Sequence, residues 1–65
     1  MTHFDLLNVL ESADAMRVSK FTVRAWIAQR RLPCVRLGRR VLLRREDIEA
    51  FVNKNVVEAR KEAKT

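Results

Sequence analysis

The chain's one proline and one glycine stand five positions apart, at Pro33 and Gly38, and they punctuate an otherwise breaker-free sequence. Proline disfavours the α region for the residue before it, so a helix running toward Leu32-Pro33 stops there. Glycine adopts positive φ without steric cost, which suits the tip of a tight turn. Beyond Pro33, the short aliphatic segments Cys34-Val35-Arg36-Leu37 and Val41-Leu42-Leu43 flank Gly38-Arg39-Arg40. That order predicts a two-stranded hairpin with glycine at its tip. Projecting from a helical body, such a hairpin is a wing.

Helix signals lie on both sides of the hairpin. Asn8 is a good N-cap, and Glu11, three residues on, can return a hydrogen bond to the cap N–H. Val9, Ala13 and Met16 then share one face, predicting a helix over 9–16. Leu6 and Leu7 precede it as a short extended segment over the core. Arg17-Val18-Ser19 interrupts the pattern, and Ser19 is a second N-cap, opening a helix over 20–30. Two helices joined by so short a turn form the helix-turn-helix layout. Arg45-Glu46-Asp47 opens a third helix with acids matched to its dipole. Ile48, Phe51 and Val52 supply its apolar stripe, which weakens after Asn53. The expected fold is therefore mainly α with a small β-hairpin, a winged helix-turn-helix over 1–53. Residues 54–65 form a charged tail, either frayed or helical with Ile48, Val52, Val56, Ala59 and Ala63 along one side toward a partner protein.

Sixty-five residues make one domain with a thin core and little room for a deep pocket. One cysteine and one histidine provide neither a disulfide nor a structural zinc site, so packing alone holds the fold. No metal, cofactor or small-molecule ligand is expected. Cys34 reads as a packing residue and His3 as a mobile terminal one. No apolar run approaches the roughly 18 residues of a membrane span, and no signal-peptide pattern opens the chain. A cytoplasmic, nucleoid-associated protein is expected. No nucleophile–base set or phosphate loop is present, so an enzyme is not expected.

Charge then narrows the partner. Between Arg17 and Arg45 stand ten basic residues and no acidic one, while the first sixteen residues hold three acids and no Lys or Arg. A concentrated basic block presents an electrostatic face, and its commonest partner is a phosphate backbone. On the second helix, stepping about 100° per residue separates a core stripe of Val23, Trp26 and Ile27 from a side carrying Lys20, Phe21, Arg24, Ala25 and Ala28. Arg30 and Arg31 read as side-chain caps for the carbonyl end of that helix.

Leu6-Leu-Asn-Val9, Ala13, Val18-Ser19, Thr22-Val23, Trp26-Ile27, Leu32-Pro33, Val35-Arg-Leu-Gly-Arg-Arg-Val41 and Arg45-Glu-Asp-Ile-Glu-Ala-Phe51 resemble the excisionase-type small winged helix-turn-helix proteins, relatives of MerR-type DNA-binding domains. The resemblance covers residues 6–52. It departs from the family in two places, where Arg17 and Arg30-Arg31 stand in place of usual glycines. A non-glycine residue at positive φ costs roughly 1 kcal/mol, so these turns are either strained or reshaped.

The resemblance implies that the second helix enters a major groove and the wing grips a minor groove or backbone. Ser19 and Lys20 then meet phosphate at the helix N-terminus. Arg24 reaches base edges, where a bidentate contact to guanine discriminates by about 1–3 kcal/mol. Phe21 packs on a thymine methyl or else tucks under the wing. Ala25 and Ala28 permit close approach. Arg36, Arg39 and Arg40 contact phosphate or a narrow minor groove, with Arg44 adding to them. The implied protein binds double-stranded DNA sequence-specifically. Its leading role is an excisionase, or recombination directionality factor, of a phage or mobile element, which self-associates on repeated sites and bends DNA for an integrase. A small transcription regulator is the alternative, and an anti-repressor or antitoxin-like protein-interaction module is the reading from another class.

Overall fold

The computed structural model describes residues 4–58. His3 and the tail beyond Glu58 lie outside them. The element order is β1 (Leu6–Asn8), α1 (Val9–Met16), α2 (Lys20–Ala28), β2 (Val35–Leu37), β3 (Arg40–Arg44) and α3 (Arg45–Lys54). The sheet is antiparallel, in the order β1-β3-β2. It has three strands where the sequence predicts two, because the Leu6-Leu7 segment pairs directly with β3. Leu7 lies opposite Leu43, and Val35 opposite Leu42.

Cap chemistry sets where the first two helices begin. The Glu11 N–H donates to Asn8 Oδ1 at 2.7 Å, and the Asn8 N–H donates to Glu11 Oε1 at 2.9 Å, closing a capping box. The Thr22 N–H donates to Ser19 Oγ at 3.1 Å at the start of α2. The third helix begins differently. Its N-cap, Arg44, makes no capping hydrogen bond from its side chain to the backbone. The Arg45 N–H instead donates to the Asp5 carbonyl at 2.9 Å, and Arg45 Nε to Asp5 Oδ2 at 2.8 Å. The residue before β1 thus pins the start of α3.

Two arginines stop the helices. Arg17 sits at φ 61° and Arg30 at φ 59°, both left-handed. After α1, the Val18 N–H donates to the Ala13 carbonyl at 2.9 Å and the Arg17 N–H to the Asp14 carbonyl at 3.2 Å. After α2, the Arg31 N–H donates to the Trp26 carbonyl at 2.9 Å and the Arg30 N–H to the Ile27 carbonyl at 3.0 Å. Each pair is a Schellman closure around one left-handed residue. The departures from glycine therefore leave the turns strained, with their shape kept. The second helix ends at Ala28, short of the expected Arg30, because this closure precedes the influence of Pro33. Backbone N–H groups satisfy the Ala25, Trp26 and Ile27 carbonyls, and neither arginine side chain makes a hydrogen bond to them.

Arg17→Gly is expected to stabilise the fold by about 0.5–1 kcal/mol, since glycine enters the left-handed region freely but loses more backbone freedom on folding. Urea denaturation of variant and parent checks this; an unchanged or lowered midpoint contradicts the strain.

The core consists of Leu7, Ala13, Val23, Leu32, Leu43, Ile48 and Phe51, with Val9, Met16, Val18, Trp26 and Ile27 packed against it. Trp26 meets Phe51 at a centroid distance of 4.8 Å and an interplanar angle of 46°, joining α2 to α3. Ser12 is fully buried, and its hydroxyl donates to the Asn8 carbonyl at 2.8 Å, so α1 packs closely without an orphaned polar group. Val52 departs from the expected stripe and is exposed, because no element among the described residues covers that side of α3. Asn55 ends α3; its side-chain amide donates to the Phe51 carbonyl at 2.7 Å. The helix does not continue through Val56, and Ala59 and Ala63 of the proposed stripe lie outside the described residues. No helix among the described residues is long and apolar enough to cross a membrane.

The wing turns in two residues, Gly38 and Arg39, between the paired Leu37 and Arg40. Gly38 has φ 61° and Arg39 is not left-handed, which is the type II′ pattern with glycine first. Arg40, expected at the tip, is the first residue of β3.

Candidate nucleic-acid interface

The outward side of α2 follows the angular reading. Lys20, Phe21, Arg24, Ala25 and Ala28 are exposed, while Val23 is fully buried and Trp26 and Ile27 are half-buried against the core. Phe21 is 70% exposed, so it does not tuck under the wing. The Lys20 ammonium lies 5.4 Å from its ring centroid, a surface cation–π contact that holds the two side chains together. The Ser19 hydroxyl accepts the Thr22 N–H and shares a 3.0 Å hydrogen bond with the Thr22 hydroxyl. When Thr22 donates in that bond, the Ser19 hydroxyl proton is left for an acceptor outside. Ser19 takes up the Thr22 and Val23 N–H groups, and those of Lys20 and Phe21 have no partner among the described residues, which favours an anion there.

Arg36, Arg39 and Arg40 are exposed on the wing. Between the wing and α2 runs an open trough. Its rim carries Arg24, Arg30, Arg31, Arg36 and Arg39, and its floor is formed by Ile27, Leu32, Pro33, Cys34 and Val41. Leu32 and Pro33 connect α2 to β2, so the same segment that buries Leu32 in the core sets the distance between helix and wing. No acid lines the trough. A cleft lined by one sign of charge over apolar walls concentrates field on whatever enters it.

The structure brings Arg24, Ala28, Arg36 and Arg39 together around the trough, but Arg40 and Arg44 do not line it; alternation along β3 sets both on the face opposite Val41. Arg44 forms a two-point pair with Asp47, Nε to Oδ2 at 2.6 Å and Nη2 to Oδ1 at 2.9 Å, and its Nη1 lies 3.3 Å from Glu46. The hydrogen bond to Asp47, then the charges of Asp47 and Glu46, raise its pKa above the ordinary arginine value. Its guanidinium serves the first turn of α3. Conversely, Arg30 and Arg31, expected as caps of the helix, line the trough.

The sequence profile of a family described as a helix-turn-helix domain matches residues 6–56. The chain is also 39% identical, over 51 residues, to the transcriptional repressor DcmR of Methylorubrum extorquens. That stretch is 75% of the chain but 19% of the repressor, so the chain spans about a fifth of the length of this curated relative. No solved structure matches the chain.

Proposed function

The chain belongs to the helix-turn-helix domain family, and from that membership we propose that it binds duplex DNA sequence-specifically through α2 and the wing. The observation carrying this reading is the continuity of the outward α2 face with an acid-free trough and the wing arginines. An α-helix fits the major groove, and the wing lies beside it over the neighbouring backbone or minor groove. Ser19 and Lys20 hold phosphate at the helix N-terminus. Arg24 and Phe21 read base edges and a thymine methyl, and Ala25 lets the helix come close. Arg36, Arg39 and Arg40 hold the backbone or a narrow minor groove.

The similarity to a transcriptional repressor supports promoter occupancy as the process served. A second reading, recombination directionality, rests on the resemblance of residues 6–52 to excisionase-type proteins; there the protein self-associates on repeated sites and bends DNA for an integrase. Both use the same interface, and the genomic position of the bound sites distinguishes them.

The division of labour is testable with two variants on a panel of single-base site variants. Arg24→Ala relaxes preference at one or two base pairs, losing about 1–3 kcal/mol of discrimination there. Arg39→Ala weakens binding to every sequence alike and lowers the salt slope by about one. Identical behaviour of the two variants would remove the distinction between reading and gripping residues.

A further inference from the structure

We infer that Arg30 is a phosphate-gripping residue of the interface, kept in a strained backbone position because its side chain serves binding rather than folding. This rests on the duplex-DNA reading above. Arg17 and Arg30 are the non-glycine residues of positive φ among those described. The left-handed region is disfavoured for any residue with a Cβ, and glycine or asparagine closes such a turn more easily. Both arginines are exposed, and neither guanidinium has a hydrogen-bond or ion-pair partner among the described residues. Nothing inside the fold therefore compensates for the side chain at either position. An observed backbone outlier of this kind points to a role outside folding.

The two positions differ in location. Arg30 stands on the rim of the trough with Arg24, Arg31, Arg36 and Arg39, whereas Arg17 does not line it. Five guanidinium groups without an acid repel one another until an anion enters between them. A string of regularly spaced phosphates is the ligand that relieves this repulsion along the whole trough, and the planar fork of arginine matches a phosphate through two parallel hydrogen bonds. The left-handed turn at Arg30 closes α2 and begins the connection that places Arg30 and Arg31 between helix and wing.

Arg17 is the internal control, with the same residue type, the same backbone conformation and the same loss of one charge on substitution. Arg30→Gly and Arg17→Gly are compared in the full chain, using a labelled duplex carrying a site retained by the parent. Both variants melt above the parent temperature, as the relief of left-handed strain requires. Arg30→Gly lowers the log–log salt slope by about 0.9 and weakens binding about fivefold near 0.15 M salt, the effect of one lost phosphate contact. Arg17→Gly changes affinity less than about twofold, since an exposed charge away from the contact is screened. Arg30→Lys keeps the charge without the fork and retains the parent slope with a smaller loss of affinity. Equal losses in Arg30→Gly and Arg17→Gly, or an unchanged slope in Arg30→Gly, would overturn the inference, and so would a lower melting temperature for Arg30→Gly. A parent chain that binds no duplex at low salt would overturn the DNA reading itself, a result visible before any variant is made.

Discussion

Raising salt from about 50 to about 200 mM lowers the affinity of this domain for duplex DNA about a thousandfold, a log–log slope near −5. The magnitude follows from the interface. Lys20 and Arg40 are exposed beyond the trough, whose rim carries Arg24, Arg30, Arg31, Arg36 and Arg39, enough for about five or six phosphate contacts. Each neutralised phosphate releases about 0.9 of a counterion from B-DNA. The expected slope is smaller than the ten central basic residues alone would suggest. Arg44 and Arg45 are engaged with Asp47, Glu46 and Asp5, and Arg17 lies off the trough. Anisotropy titrations of one labelled duplex at four or so salt concentrations read the slope directly. An affinity that changes less than about threefold over that range contradicts a phosphate-gripping face.

The largest stability effect is expected at Leu43. Its side chain is fully buried, and its strand lies between β1 and β2 in the sheet. The strand also contacts α1 and α3, so Leu43 is where the sheet and helical layers meet. Leu43→Ala removes about 2–5 kcal/mol by lost burial and the cavity left behind. A domain of this size has a total stability of about 3–10 kcal/mol. The variant therefore loses much of its cooperative folding at 25 °C or melts far below the parent. Leu10→Ala is the matched control: Leu10 is 62% exposed and the substitution costs less than about 0.5 kcal/mol. Thermal unfolding followed by circular dichroism measures both. A shift for Leu43→Ala no larger than that for Leu10→Ala would mean that the core is centred elsewhere.

What the sequence made legible depended on whether the responsible chemistry was local. The starts at Asn8 and Ser19 were readable because a cap is a short side-chain hydrogen bond three residues long. The outward side of α2 was readable because helical geometry alone separates Val23 and Ile27 from Lys20 and Arg24. The ends were less readable. Arginine carries no preference for the left-handed region, so nothing in its residue type marks Arg30 as the residue that closes α2. Nor does local sequence mark Arg30 and Arg31 as trough residues, because the walls of the trough come from segments separated in sequence. The third strand leaves no sequence signal because three residues, Leu6-Leu7-Asn8, are too few to show an alternating period, and their pairing with β3 is a long-range event. Arg44 did leave a signal. It stands three residues before Asp47, and an acid in the first turn of a helix is a natural partner for a base at its N-cap. Local charge pairing outweighed its nearness to the wing.

The most direct measurement is to incubate the purified chain with sheared DNA from its source organism and sequence what it retains. Sequence-specific duplex binding through α2 and the wing predicts enrichment of a few loci that share a short motif. Motifs at promoters would support regulation, and repeated motifs beside an integrase gene would support recombination directionality. Retention without sequence preference would contradict base reading by Arg24 and Phe21, and no retention even at low salt would contradict DNA binding altogether.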